Sequence, residues 1–340
     1  MAKRKNEITL LSLAMCLLVI FIHVTSWTLP NLARSSPQYL ALLFPWRLSA
    51  FVVQGFLFLS GVRLFLSDKP FSYGRFLADR AKRIVLPYLL WVAIYYAYFI
   101  VIGWYRFSLG DLFEYVFLGT LCSHFYFIII LVQFYILMPL WRWLLCRFDA
   151  RLVCGAAVVL TALFKLFCHF RYDDRVFPAY LCYFLFGAAV GKNYAAVTTW
   201  LKKRLPALAA VFLATAAADL YFTYRSQVHG EVFRWFEALH LCYCLAAIFF
   251  LFALFAKLCE RIDRLPAFVT LCDRSSYLIY LSHILPIYIA NDLIARAGIA
   301  DMPAAYLCRF AFTYLVTFAG CLLYTLLKEK CKERLCHANR

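Results

Sequence analysis

The chain has 340 residues, 65% of them hydrophobic and only 16% charged, with a mean hydropathy of +0.76 and a formal net charge of +17. Soluble domains carry about a quarter charged residues and under half apolar ones, so a water-soluble globule of this composition would have no polar shell, and lipid is the solvent that fits. The positive balance does not point to nucleic acid, because the Lys and Arg sit in short loops between apolar runs and not along one groove.

A membrane-spanning helix needs about 20 mostly apolar residues. In chain order the runs predict ten such helices, at 9–29, 45–66, 84–103, 122–144, 152–170, 178–195, 206–224, 236–257, 275–295 and 303–327. The fold class is therefore an all-α polytopic membrane helix bundle. The first run has no small-residue cleavage site and leads into a second span, so it is read as a retained helix and not as a signal peptide. The stretch 111–121 is apolar but too short to span, and is expected to be a surface or re-entrant helix.

Charge orients the bundle. Most of the 35 Lys and Arg fall on one side, from Lys3, Arg4 and Lys5 through Lys69, Arg75, Arg80, Lys82 and Arg83 to Lys328, Lys330, Lys332, Arg334 and Arg340. Loops on the other side hold few, among them Arg34, Arg106, Arg171 and Arg296. Basic loops stay in the cytoplasm, which puts both termini there when the span count is even. With no internal repeat and no linker, residues 1–340 read as a single membrane domain ending in a basic cytoplasmic tail at 328–340.

The 14 cysteines lie mostly inside predicted spans and read as small packing residues. Cys242 and Cys244 form a CxC whose members point to different faces of a helix. Cys331, Cys336 and His337 in the tail are too sparse for a structural zinc site, and no metal is expected.

Ionisable groups inside a span are costly and usually face the bundle interior or water, so they are the first places to look for chemistry. His23 lies roughly 20 Å from the cytoplasmic end of its helix at 1.5 Å per residue. It is either a base or a histidine bonded between helices. Arg47 and Arg63 flank the predicted second span, where Gly55, Ser60 and Gly61 permit close helix packing. His124 and His283 sit at or within apolar helices, and Pro286 beside His283 breaks the backbone ladder. Lys165, His169, Asp219, Glu237 and His240 are expected to be solvated residues at outer helix ends. The segment YGRFLADRAKRIVLPYLLW is the densest basic cluster beside a span. It suits anionic lipid or a phosphate-bearing ligand.

Taken in order, these segments resemble the membrane acyltransferase-3 family. EITLLSLAMCLLVIFIHV at 7–24 is similar to its first span ending in a histidine, and FVVQGFLFLSG at 51–61 to its phenylalanine-rich helix. FLADRAKRIVLPYLLW at 76–91 resembles the RxxRI loop and helix entry. HFYFIIILVQFYILMPLW at 124–141 resembles the HxWF segment, with Tyr126 in the tryptophan place. YLCYFLFGAAVG at 180–191 and SSYLIYLSH at 275–283 resemble the later glycine-bearing span and the S-x-x-IY-x-x-H ending. One position departs from the pattern. The family's arginine eleven residues before its histidine is Ser12 here, and Arg47 or Arg63 is the candidate substitute.

The resemblance implies an O-acyltransferase of the bacterial plasma membrane. It would move an acyl group, expected to be acetyl, from acyl-CoA to a hydroxyl of a cell-surface or lipid-linked glycan. It implies His23 as catalytic base, Arg80 and Arg83 on the CoA phosphates, and Arg47, Arg63, His124, Tyr126 and His283 around the substrates. A transporter or flippase for a glycan or small metabolite also fits ten spans with internal polar residues and prolines. A third reading is a sensor or assembly partner without catalysis.

Overall fold

A computed structural model describes residues 5–67 and 70–338, with side chains given up to Arg334. Lys3, Arg4, Lys69 and Arg340, and the side chains of Cys336 and His337, lie outside the described residues.

Every regular element among the described residues is helical. Seven helices are long and apolar enough to cross a membrane: Asn6–Asn31, Pro37–Phe65, Tyr73–Val101, Ala150–Phe167, Leu205–His229, Phe236–Arg261 and Met302–Arg334. Two further apolar helix pairs are sharply bent. Tyr126–Ile136 and Met138–Arg147 meet at 56°, and Ala267–Ser282 and Ile284–Arg296 at 58°. The sixth predicted span, 178–195, is the shorter apolar helix Phe177–Lys192. The protein is thus an all-α polytopic membrane protein, with seven candidate spans among the described residues, or up to nine if each bent pair crosses once.

Each break has a local cause. Pro139 and Pro286 stand just past the two bends, where a missing N–H and a crowding ring weaken the ladder. Within Pro37–Phe65, Pro45 precedes a run of tight turns at Ser49 to Phe51, and the Ser49 hydroxyl donates to the Pro45 carbonyl at 2.8 Å. That span begins earlier than the apolar run suggests. Ser36 caps it, accepting from the Tyr39 N–H at 3.1 Å, and Pro37 opens its first turn. Arg47 therefore does not flank the span but lies inside it, about 15 Å from its start at 1.5 Å per residue. The 111–121 stretch forms the short helix Leu109–Leu118, capped by Ser108 and stopped by Gly119 at φ +63°.

The chain divides into two compact units, one running up to Val52 and resuming at Leu254, the other Val53–Ala253. In the first unit, α1 (Asn6–Thr28) runs parallel to α2 (Ala267–Ser282): Thr9 donates to Asp273 near their starts, and His23 meets His283 near their ends. Past His283 the chain continues as α3 (Ile284–Arg296). α4 (Met302–Ala338) runs antiparallel to α1, tied by Tyr314 to the Leu17 carbonyl at 2.6 Å and by Tyr306 to Thr25 at 3.2 Å.

In the second unit, the helix Val52–Phe65 packs backbone to backbone on Leu181–Lys192. A Cβ added at Gly61 would strike the Phe184 carbonyl and the Ala188 nitrogen, and one added at Gly187 would strike the Phe58 carbonyl. The close packing read from Ser60–Gly61 is what the helix shows.

Candidate active site

In the first unit α1 carries His23 inward, and the α2–α3 bend carries His283. Their rings lie 5.1 Å apart between centroids, tilted by 47°. His283 is fully buried. Its Nδ1 faces the Tyr280 carbonyl at 2.7 Å and the Ile279 carbonyl at 3.2 Å. A carbonyl only accepts, so Nδ1 holds the proton, and the Nε2 of the neutral ring carries the lone pair. His23 is half-buried.

The turn bearing Arg47 is fastened to the same helix. The Trp46 indole donates to Ser26 at 2.8 Å, three residues from His23. Ser12, where the resemblance leads one to look for an arginine, is fully buried, and its hydroxyl has no hydrogen-bond partner among the described residues.

The second unit gathers the basic residues predicted to meet the donor. The Tyr135 hydroxyl, near the end of Tyr126–Ile136, lies close to Ser60, Arg80 and Arg63. The Arg80 guanidinium sits 5.1 Å over the Phe76 ring and 5.4 Å over the Tyr135 ring, and its Nε is buried without a hydrogen-bond partner. Next to it, Ala81–Val85 forms a π-helical turn, a distortion that often marks a functional position. Arg83 is exposed on that turn.

His124 and Tyr126 stand at the opposite end of that helix from Tyr135, and so apart from Arg63 and Arg80. His124 is buried against Phe125 and Tyr95, with ring centroids 4.4 and 5.9 Å away. Tyr126 lies beside Tyr180, whose hydroxyl donates to the Asp174 carbonyl at 3.1 Å. Of the eight predicted site residues, then, His23, His283 and Arg47 share the first unit. Arg63 and Arg80 meet around Tyr135 in the second, with Arg83 beside them.

Asp219 and His240 are not the solvated helix-end residues that the sequence suggests. Asp219 is fully buried and His240 is 8% exposed. The imidazole Nδ1–H donates to Asp219 Oδ1 at 3.0 Å, and its Nε2 lies 3.4 Å from the Cys244 sulfur. Lys165 and Glu237 do pair at the surface, at 3.1 Å, so Glu237 and His240 on one helix face have different surroundings. Cys242 is exposed while Cys244 is buried, as their spacing requires.

Losing one member of a buried pair strands the other. Asp219→Ala is expected to lower stability by about 3 kcal/mol. The double variant Asp219→Ala/His240→Leu is expected to regain part of that loss, because both polar partners are then gone. Thermal unfolding of the single and double variants in one detergent reads the difference.

Sequence reasoning missed Tyr135 and Arg309. An arginine inside the run 303–327 was a visible signal by the rule that flagged His23. Tyr135 carries no such signal, because a tyrosine in an aromatic-rich span looks like packing.

No curated protein and no solved structure matches the chain. The sequence does match the family described as an acyltransferase domain, over residues 8–326, nearly the whole chain and both units. Together with the helical bundle, this match makes the protein a multi-pass membrane acyltransferase, of the class that transfers groups other than aminoacyl groups, and the chain belongs to the acyltransferase-3 family.

Proposed function

We propose that this acyltransferase moves an acetyl group from acetyl-CoA to a hydroxyl of a cell-surface or lipid-linked glycan at a bacterial plasma membrane. The observation that carries the proposal is the His23–His283 pair held inside the spans at a helix break. In this reading the acceptor oxygen attacks the thioester carbonyl while His23 removes its proton. The C–S bond breaks, CoA leaves as thiolate, and the proton returns to that sulfur. His283 positions His23, since it is too buried to meet the substrate itself. Arg47 supplies the positive charge near the developing oxyanion that Ser12 does not.

Arg80 takes the role of phosphate ligand for CoA, with Arg63 and Arg83 adding positive potential. Charge-assisted hydrogen bonds are worth about 1.5–3 kcal/mol, so Arg80→Ala is expected to raise KM for acetyl-CoA about tenfold or more with a smaller effect on kcat. The effect should shrink with acetyl-phosphopantetheine, which lacks the nucleotide phosphates. Equal losses with both donors would remove Arg80 from the phosphate site.

The broken spans favour a second reading, a glycan transporter, because interrupted helices commonly line transport sites. Release or transfer of label from radiolabelled acetyl-CoA by the purified protein in lipid separates the two. Turnover supports acyl transfer. Glycan movement without CoA, and no turnover across several acceptors, would favour transport.

A further inference from the structure

Arg309 lies seven residues inside α4, in the part of that helix that packs near the end of α1. It is only 8% exposed. It donates through Nη1 to the Thr28 hydroxyl at 2.9 Å and through Nε to the Asn291 side-chain oxygen. No carboxylate among the described residues pairs with it. The two nearest in sequence on its neighbouring segments are engaged elsewhere: Asp292 with Arg296 at 2.8 Å, and Asp301 as acceptor of the Ala304 N–H at 2.9 Å.

A buried cation without a countercharge is expensive. Asn291 sharpens the point. Its oxygen is turned to Arg309, and its Nδ2 is buried without a hydrogen-bond partner. An arginine has five N–H donors and no acceptor, so after these bonds the cluster keeps unused donors on Arg309 and Asn291 and a positive charge. Asn291 and Tyr306 are half-buried, which leaves a way in. The three residues come from α1, α3 and α4, all in the first unit.

We infer that Arg309, Asn291 and Thr28 form a seat for an oxyanion, a carboxylate or a phosphate, carried by the acyl acceptor. The inference rests on the acyl-transfer reading for the word acceptor, but the seat itself does not depend on turnover. Thr28 lies five residues beyond His23 on α1, about 7.5 Å along the axis at 1.5 Å per residue. An acceptor held by its anion there would bring a hydroxyl toward His23 across the length of a short saccharide. The substrate class is then an acidic glycan or a glycan phosphate, and neutral sugars are poor acceptors.

The test is direct binding, without acetyl-CoA, to the full chain in phosphate-free maltoside micelles. The probes are glucuronate, glucose 1-phosphate, inorganic phosphate and glucose. Wild type is expected to bind at least one anion and to ignore glucose. Preference for glucuronate names a carboxylate as the source, and preference for either phosphate probe names a phosphate. Arg309→Gln should weaken binding tenfold or more. Asn291→Ala keeps the charge but removes one donor and the oxygen that Arg309 Nε uses, and should weaken it severalfold in protein that stays folded, at a somewhat lower melting temperature. Arg309→Lys should retain part of the affinity. Absence of anion binding in wild type, or equal binding in wild type and Asn291→Ala with Arg309→Gln unfolded, would overturn the seat. Anion binding without acetyl transfer from any donor would leave the seat standing and remove the acyl-transfer reading.

Discussion

His23→Ala is expected to lower acetyl transfer about 10²- to 10⁴-fold, the range a positioned acid–base group supplies, with the protein still folded. The side chain is half-buried, and its replacement removes ring contacts at one end of α1 without touching the ties between Tyr314 and Leu17 or Thr9 and Asp273. A general base acts only on the chemical step, so kcat should fall and KM for acetyl-CoA should hold. His283→Ala tests the partner. That ring is anchored through Nδ1 to two carbonyls and is closed to substrate, so its loss should leave a smaller residual defect together with an altered pH profile. The measurement is the rate of label transfer across pH for wild type and both variants in lipid. A His23→Ala enzyme that keeps wild-type kcat would remove His23 from the chemistry.

The spans were legible because lipid imposes a length and a polarity that a linear reading can see. Each of the ten expected spans corresponds to a helix or a bent helix pair, and the breaks at Leu137 and His283 are announced by Pro139 and Pro286. Arg47 was misplaced for a physical reason. The apolar run starting near residue 45 is the more hydrophobic part of a helix whose true start is the Ser36–Pro37 cap, and caps are encoded by residue type, not by hydropathy. Asp219 and His240 were misjudged because pairing between two spans depends on which helix faces meet, and no periodicity in either span carries that information. The same holds for Tyr135 and its guanidinium neighbour Arg80. The meeting of His23 and His283, far apart in sequence, was not legible either, since the family resemblance set both residues about the substrates and implied no contact between them.

Gly187→Leu is expected to be the most damaging single change in the second unit. Helices in a membrane gain little from burying apolar surface against one another, since lipid is equally apolar, so close approach of backbones supplies the packing energy. Gly61, Gly187 and Gly191 alternate along one such contact. The atoms that a new Cβ would meet at Gly61 and Gly187 are all backbone, and backbone is the nearest neighbour at Gly191 too, so no side chain can swing aside at the tightest points. Overpacking costs about 1–3 kcal/mol where side chains can shift, and this site is expected at or above the top of that range. Gly155 is the control. It is helical, a Cβ there would meet nothing within 4 Å, and Gly155→Ala removes only glycine's backbone freedom, which should make it neutral or stabilising by up to about 1 kcal/mol. Melting temperature and monodisperse yield in one detergent compare the two. Gly187→Leu should lose both, and Gly187→Ala should fall between. A Gly187→Leu protein as stable as Gly155→Ala would mean that the two helices can part at no cost, and the backbone contact would not be what holds this unit together.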